Sequence, residues 1–218
     1  FECVLFGTAV MKGPFAIDKE YPNWDEEGEY DPVIKTIPKV EYVSVWDFYP
    51  DPDAYNMEET TYTVERHRLT RPQLRALKKR PFFRSKAIDD AVKTGENYNQ
   101  EWWEESLNDN DVASDFGGEG FSSHSGDVER FQVLEFWGTV DREIVEMQGL
   151  EIPKKFLKDD EIQINAWICN GEILRFVINP FTPKRIPYVA SPYELNPYSF
   201  FGVGLAENMD DTQTLMNG

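Results

Sequence analysis

Asn170-Gly171 lies between two apolar runs, 161–169 and 172–179. A two-residue type I′ turn needs positive φ at both central positions, which Asn and Gly adopt most readily, so the pair predicts a β-hairpin. The rest of the second half is also strand-rich. Residues 130–140 read as one strand, 143–147 as its continuation or partner, and 185–189 as an edge strand between prolines. The last stretch, 204–217, is helical by the spacing of Leu205, Met209, Thr212 and Met216.

The first half mixes strands and helices. Residues 3–12 are apolar and β-competent with a bend at Gly7, and Gly13-Pro14 ends the run. Residues 18–31 carry seven acids and one Lys and read as an exposed acidic loop. A strand over 40–46 stops at Asp47 and at Pro50-Asp51-Pro52-Asp53, because closely spaced prolines cannot continue a ladder. Residues 60–69 form a Thr-rich, half-exposed strand. Thr70 caps a helix with Arg71-Pro72 in its first turn and Pro81 as its stop. Ser85 caps a second helix, closed by Gly95, and 98–107 extends the helical region. Residues 104–129, rich in Asn, Asp, Gly and Ser, read as a long surface loop. The fold class is α+β, with β-rich antiparallel or mixed sheets and short helices.

Composition removes whole classes of function. The 6 Trp, 10 Tyr and 15 Phe exclude a disordered chain. No apolar run approaches the ~18 residues of a membrane span. With 22 Lys+Arg against 40 Asp+Glu, the net charge of −18 argues against non-specific nucleic-acid binding through a basic face. Cys3 and Cys169 cannot build a disulfide framework, and with His67 and His124 they lack zinc-ligand spacing. The 218 residues suit one large domain or two small ones. Starting at Phe1 without Met and stopping inside a helix, the chain reads as an excised piece of a longer protein.

Candidate chemistry is sparse. Asp51 and Asp53 flank Pro52, and Glu104-Glu105 follow Trp102-Trp103; a glycosidase needs such paired carboxylates across an aromatic cleft, but acids this abundant are mostly solvated surface. Residues 108–120 lack the ligand spacing and turn glycine of an EF-hand. His67 sits in a strand with no nucleophile motif around it and reads as structural. Neither a P-loop, G-x-G-x-x-G, G-x-S-x-G nor H-E-x-x-H occurs, and Gly202-Val203-Gly204 reads as a turn opening the last helix. No catalytic residue, cofactor or metal is expected.

Charge is segregated along the chain. Residues 66–86 carry nine Lys/Arg and no acid, while 89–129 carry twelve acids and one Lys. The two segments are either solvated helix faces or the two sides of a subunit contact. In the second case Arg71, Arg75, Lys78, Lys79 and Arg80 meet Glu101, Glu104 and Glu105 of a neighbour.

The order of several short motifs carries a resemblance. Residues 6–14 read Phe-Gly-Thr-Ala-Val-Met-Lys-Gly-Pro; 45–54 contain Trp46-Asp47-Phe48-Tyr49-Pro50-Asp51-Pro52; the Thr70-Arg71-Pro72 helix start follows. Later come Asn179-Pro180-Phe181, Ile186-Pro187-Tyr188, Phe201-Gly202-Val203-Gly204-Leu205 and Asp211 through Gln213 to Asn217. This resembles the portal proteins, or head–tail connectors, of tailed bacteriophages, over nearly the whole chain. Gly7, Gly13, Pro14, Asp51, Pro52, Pro187, Gly202, Gly204, Gln213 and Asn217 carry the motifs in a structural role.

The resemblance implies one wing-like domain over 1–218, with 204–218 beginning a helix that leads towards the channel-lining stem. It implies a non-enzymatic structural subunit of a cyclic ring, typically of twelve, at the capsid vertex of the virion, assembled in the host cytoplasm. DNA is packaged and ejected through such a ring, and terminase, head–tail adaptor and capsid proteins attach to the full-length protein. Double-stranded DNA passes without specific binding, which the acidic charge favours through non-adhesion, and no membrane is involved. The alternative is a carbohydrate-binding or hydrolytic β-protein using exposed Trp and paired acids. A further alternative is another virion scaffold such as a head–tail adaptor.

Overall fold

The computed structural model describes residues 1–24, 28–98, 129–149, 152, 160–181 and 185–217. The described elements are α1 (Glu2–Phe6), β1 (Thr8–Tyr21), β2 (Val33–Val43), β3 (Phe48–Pro50), β4 (Tyr62–Thr70), α2 (Arg71–Ala76), α3 (Ser85–Thr94), β5 (Arg130–Asp141), α4 (Arg142–Met147), β6 (Glu161–Cys169), β7 (Glu172–Ile178), β8 (Tyr188–Pro192) and α5 (Leu205–Asn217). Short 3-10 turns cover Val45–Asp47 and Leu77–Lys79. The strands make a three-stranded sheet in the order β2-β1-β8 and a five-stranded sheet in the order β3-β4-β5-β6-β7. The fold is α+β. Among the described residues, no helix is long and apolar enough to cross a membrane.

The chain divides into two compact units that interleave in sequence. Unit 1 comprises 1–65, 137–139 and 179–218; unit 2 comprises 66–136 and 140–178.

In unit 1, β1 pairs antiparallel with β2 on one side and with the shorter β8 on the other, placing Met11 opposite both Tyr42 and Val189. Alternation turns Val10, Val43 and Tyr188 inward, where they pack with Phe48 and Trp137, flanked by Phe181 and Phe200. The Tyr188 and Phe48 rings lie 5.2 Å apart, and Trp137 and Phe181 lie 5.8 Å apart.

Unit 2 buries its strands on both faces. Residues 162, 164 and 166 of β6 pack with Val145 of α4 and Phe176. Residues 167 and 169 of the same strand face the other way, onto Leu74, Leu77, Ile88, Ala91 and Val92 from the α2–α3 region, together with Phe131 and Val133. Each fully buried Leu, Ile or Phe contributes roughly 1.5–3 kcal/mol relative to exposure. The amphipathic spacing of Ile88, Ala91 and Val92 thus aims α3 at the sheet.

Several local expectations hold. Asn170 (φ 53) and Gly171 (φ 77) make the turn between β6 and β7. Thr70 forms a complete capping box with Gln73 at the start of α2. Gly95 follows α3, and α5 occupies the predicted C-terminal helix.

Others are corrected. Residues 2–6 form a helix rather than a strand, closed by Gly7 in the left-handed conformation. Residues 18–21 continue β1 instead of opening a loop, and β2 starts at Val33, before the predicted strand at 40. Segment 142–147 is helical because Val145 has a core to fill, with Asp141, the last residue of β5, as its N-cap position. The last strand is shifted to 188–192 by its pairing with residues 8–12. Ser85 is the first helical residue of α3, not its cap. The expected helical extension beyond Tyr98 and the loop up to residue 128 lie outside the described residues.

Candidate functional site

Six of the residues singled out for the motif resemblance gather at two junctions in unit 1. Helix α1 must reverse into β1 within one residue, and Gly7 does so at φ 80. Its carbonyl oxygen accepts a hydrogen bond from the Tyr193 N–H at 2.8 Å. The buried Thr8 hydroxyl accepts one from the Gly202 N–H, also at 2.8 Å. The Val203 N–H donates to the Glu194 carbonyl at 2.9 Å, and the Gly204 carbonyl then accepts from Asn208 in the first turn of α5.

Backbone contacts backbone here, leaving no room for side chains. A Cβ on Gly7 would lie 2.6 Å from the Gly202 carbonyl carbon and 2.7 Å from the Gly204 nitrogen; one on Gly202 would lie 2.6 Å from the Gly7 oxygen. Gly7, Gly202 and Gly204 are therefore a single node, joining the first turn of the chain to the start of its last helix.

A second junction lies along β1. The Gly13-Pro14 peptide is cis, and the β1–β2 register shifts between Lys12 and Phe15. The Gly13 N–H donates to the Pro187 carbonyl at 2.9 Å, so Gly13, Pro14 and Pro187 also come together. Asp51 organises its own loop. Its carboxylate accepts from the Asp53 N–H at 3.1 Å, the Thr61 N–H at 3.4 Å and the Thr61 hydroxyl, with Pro52 inside the turn. The Thr61 hydroxyl and the Asp53 N–H hold its pKa below the ordinary carboxylate value. Gln213 is exposed on α5 and makes no part of either junction; the side chain of Asn217 lies outside the described residues.

The basic segment begins to meet the acidic one within this chain. Arg71 Nη2 lies 2.5 Å from a Glu129 carboxylate oxygen and 2.7 Å from the other. Lys78 pairs with Asp89 and holds its pKa down. Arg75, Lys79 and Arg80 are exposed, whereas Arg66 is buried. Glu101, Glu104 and Glu105 lie outside the described residues.

Two buried polar clusters escaped sequence reasoning. In unit 1, Lys12 Nζ lies 2.6 Å from Glu65 Oε2, and the Tyr188 hydroxyl donates to the same oxygen at 2.6 Å. The Lys12 ammonium also sits 5.3 Å from the Tyr188 ring centroid. In unit 2, His67 Nε2 lies 2.8 Å from Glu135 Oε2, and Asn165 donates to Glu135 Oε1 at 3.1 Å. The His67 ring stacks on Trp167 at 4.7 Å and 7°. Burial lowers the pKa of Arg175, and the Glu135 charge opposes that shift.

The one local signal was parity. Glu135 falls in step with Phe131 and Val133, and Lys12 with Val10, on strand faces that point inward. The partners themselves lie 53, 68 and 123 residues apart, beyond any spacing rule.

These arrangements orient backbone and satisfy buried charge. No protein-family profile matches the sequence, and no curated protein matches it.

Proposed function

We propose that this chain belongs to a portal subunit of a tailed bacteriophage, a structural protein of the ring at the capsid vertex through which DNA is packaged and ejected. The supporting observation is the role of the residues on which the resemblance rests. Gly7, Gly202 and Gly204 hold three backbone segments in contact, and Gly13 bonds to Pro187. Motif residues spent on chain geometry suit a structural subunit better than a catalyst, whose motifs present reactive groups.

On this reading the protein does no covalent chemistry. Its partners are further copies of itself, terminase, the head–tail adaptor and the capsid, and its net charge of −18 limits sticking to passing DNA. The test is negative-stain electron microscopy and native mass spectrometry of the whole gene product. Closed rings of uniform subunit number are expected. A monomeric product that binds on a glycan array would replace this reading with the carbohydrate-binding one, for which Trp24, exposed beside Tyr30 at 5.8 Å, is one platform.

A further inference from the structure

Beyond the register shift at Lys12/Phe15, β1 and β2 continue as a two-stranded ribbon, with the ladder running from Phe15↔Lys39 to Tyr21↔Val33. Side chains directly opposite share a face, and faces alternate along each strand. The register therefore sorts the charges. One face carries Lys19 directly opposite Lys35, with Tyr21, Ile17 and Ile37. The other carries Asp18 and Glu20, opposite Thr36 and Ile34. All four charged residues are exposed.

This pattern works against the hairpin itself. Opposite charges across a ladder stabilise it, and like charges directly opposite destabilise it. Lys19 and Lys35 instead share the Tyr21 ring, at 5.2 and 5.6 Å from its centroid. Lys39 differs, because Glu41 on its own strand pairs with it at 2.8 Å. On the acidic face, Asp18 accepts from the Thr36 hydroxyl at 2.6 Å and Glu20 from the Tyr30 hydroxyl at 3.2 Å, and neither donor brings a positive charge to that face.

The two faces complement each other. Directly opposite Cα atoms on paired strands are about 4.5–5.5 Å apart, and residues i and i+2 on one strand are about 6.5–7 Å apart. Two ammonium groups on flexible stems can thus spread to reach two carboxylates set slightly further apart. Apolar surface lies beside both charge sets: Ile17 and Ile37, half-buried, beside the lysines, and Ile34, 68% exposed, beside the acids.

We infer that the 15–21/33–39 ribbon is a self-association surface, on which the Lys19/Lys35 face of one copy docks on the Asp18/Glu20 face of the next. The contact is heterologous, so it adds copies in one direction and closes only if the rotation allows. It does not depend on the particle in which the chain serves. A ring built through other surfaces would leave the portal reading standing and this one refuted.

The experiment is sedimentation velocity of the 218-residue chain over a concentration series, at low and high ionic strength. The wild-type chain is expected to associate once salt screens the repulsion between chains of net charge −18, and to dissociate as higher salt screens the ion pairs as well. Lys19→Glu with Lys35→Glu, or Asp18→Lys with Glu20→Lys, should each weaken association roughly tenfold, the loss of two exposed ion pairs. Mixing the two doubly reversed chains should restore association, since the acidic face made on one then meets the basic face made on the other. A wild-type chain that stays monomeric at every salt overturns the inference. So does association that ignores both reversals, or reversed chains that fail to complement each other.

Discussion

Gly7→Ala offers a test of the glycine node with an internal control. At φ 80 an alanine pays the left-handed penalty of roughly 1–2 kcal/mol. Its Cβ would also meet backbone atoms of Gly202 and Gly204, including contacts at 2.6 and 2.7 Å. Main chain cannot rotate aside as a side chain can, so overpacking adds about 1–3 kcal/mol. Gly28 lies in the same unit at φ 82, yet a Cβ there meets nothing within 4 Å. Gly28→Ala therefore carries the conformational penalty alone. The effect on the unfolded chain is common to both and cancels in the comparison. Urea unfolding followed by tryptophan fluorescence, with Trp137 buried in unit 1, should place Gly7→Ala about 1–3 kcal/mol below Gly28→Ala. For a chain of this size that is a gap of roughly 2–12 °C in Tm. Equal losses in the two variants would refute the close approach of residue 7 to residues 202–204.

Four further outcomes are expected. Lys12→Met, which breaks a buried pair, should cost about 3–5 kcal/mol, whereas Lys39→Met, which breaks the exposed pair with Glu41, should cost less than about 1 kcal/mol by the same denaturation. Asp51 has its pKa lowered by folding, so its contribution is present above the ordinary carboxylate value near ~3.9 and is lost as pH falls through the folded value; Asp51→Asn should flatten the acid limb of stability against pH. Burial pushes the Cys169 thiol up to about 11, so a thiol reagent should modify Cys3 first in the native chain and reach Cys169 only on unfolding, as read by mass spectrometry. Thr70→Ala removes the capping box of α2 and should cost about 0.5–2 kcal/mol, measured as a shift in the urea midpoint.

Local rules read local structure well. The Asn170-Gly171 turn and the Thr70–Gln73 box are each complete within four residues, so their chemistry is visible in the sequence. Failures came where tertiary contact decided. The six residues 142–147 are too few for periodicity to separate helix from strand, and Val145 chooses between them by filling a core space beside Ile162 and Ile164. Most of β2 is exposed on both faces, so it lacks the apolar alternation that would announce a strand before residue 40. Gly7 and Gly202 were each legible as turn residues, but that they touch depends on chain folding across almost the whole sequence. Lys12, Glu65 and Tyr188 were hidden for the same reason.

The interleaving of the two units sets an order on synthesis. Unit 2 is complete once residue 178 has emerged, because all its parts lie between 66 and 178. Unit 1 must wait, since Val10 packs in a cluster with Tyr188 and the Gly7 carbonyl bonds to Tyr193. The first 65 residues therefore leave the ribosome with an exposed sheet edge on β1, where β8 will pair, and hold it open while more than a hundred further residues are made. At roughly 5–20 residues per second that interval lasts on the order of ten seconds. The edge that waits is residues 8–12, to which β8 later pairs, and the nascent chain's need for chaperone cover is concentrated there.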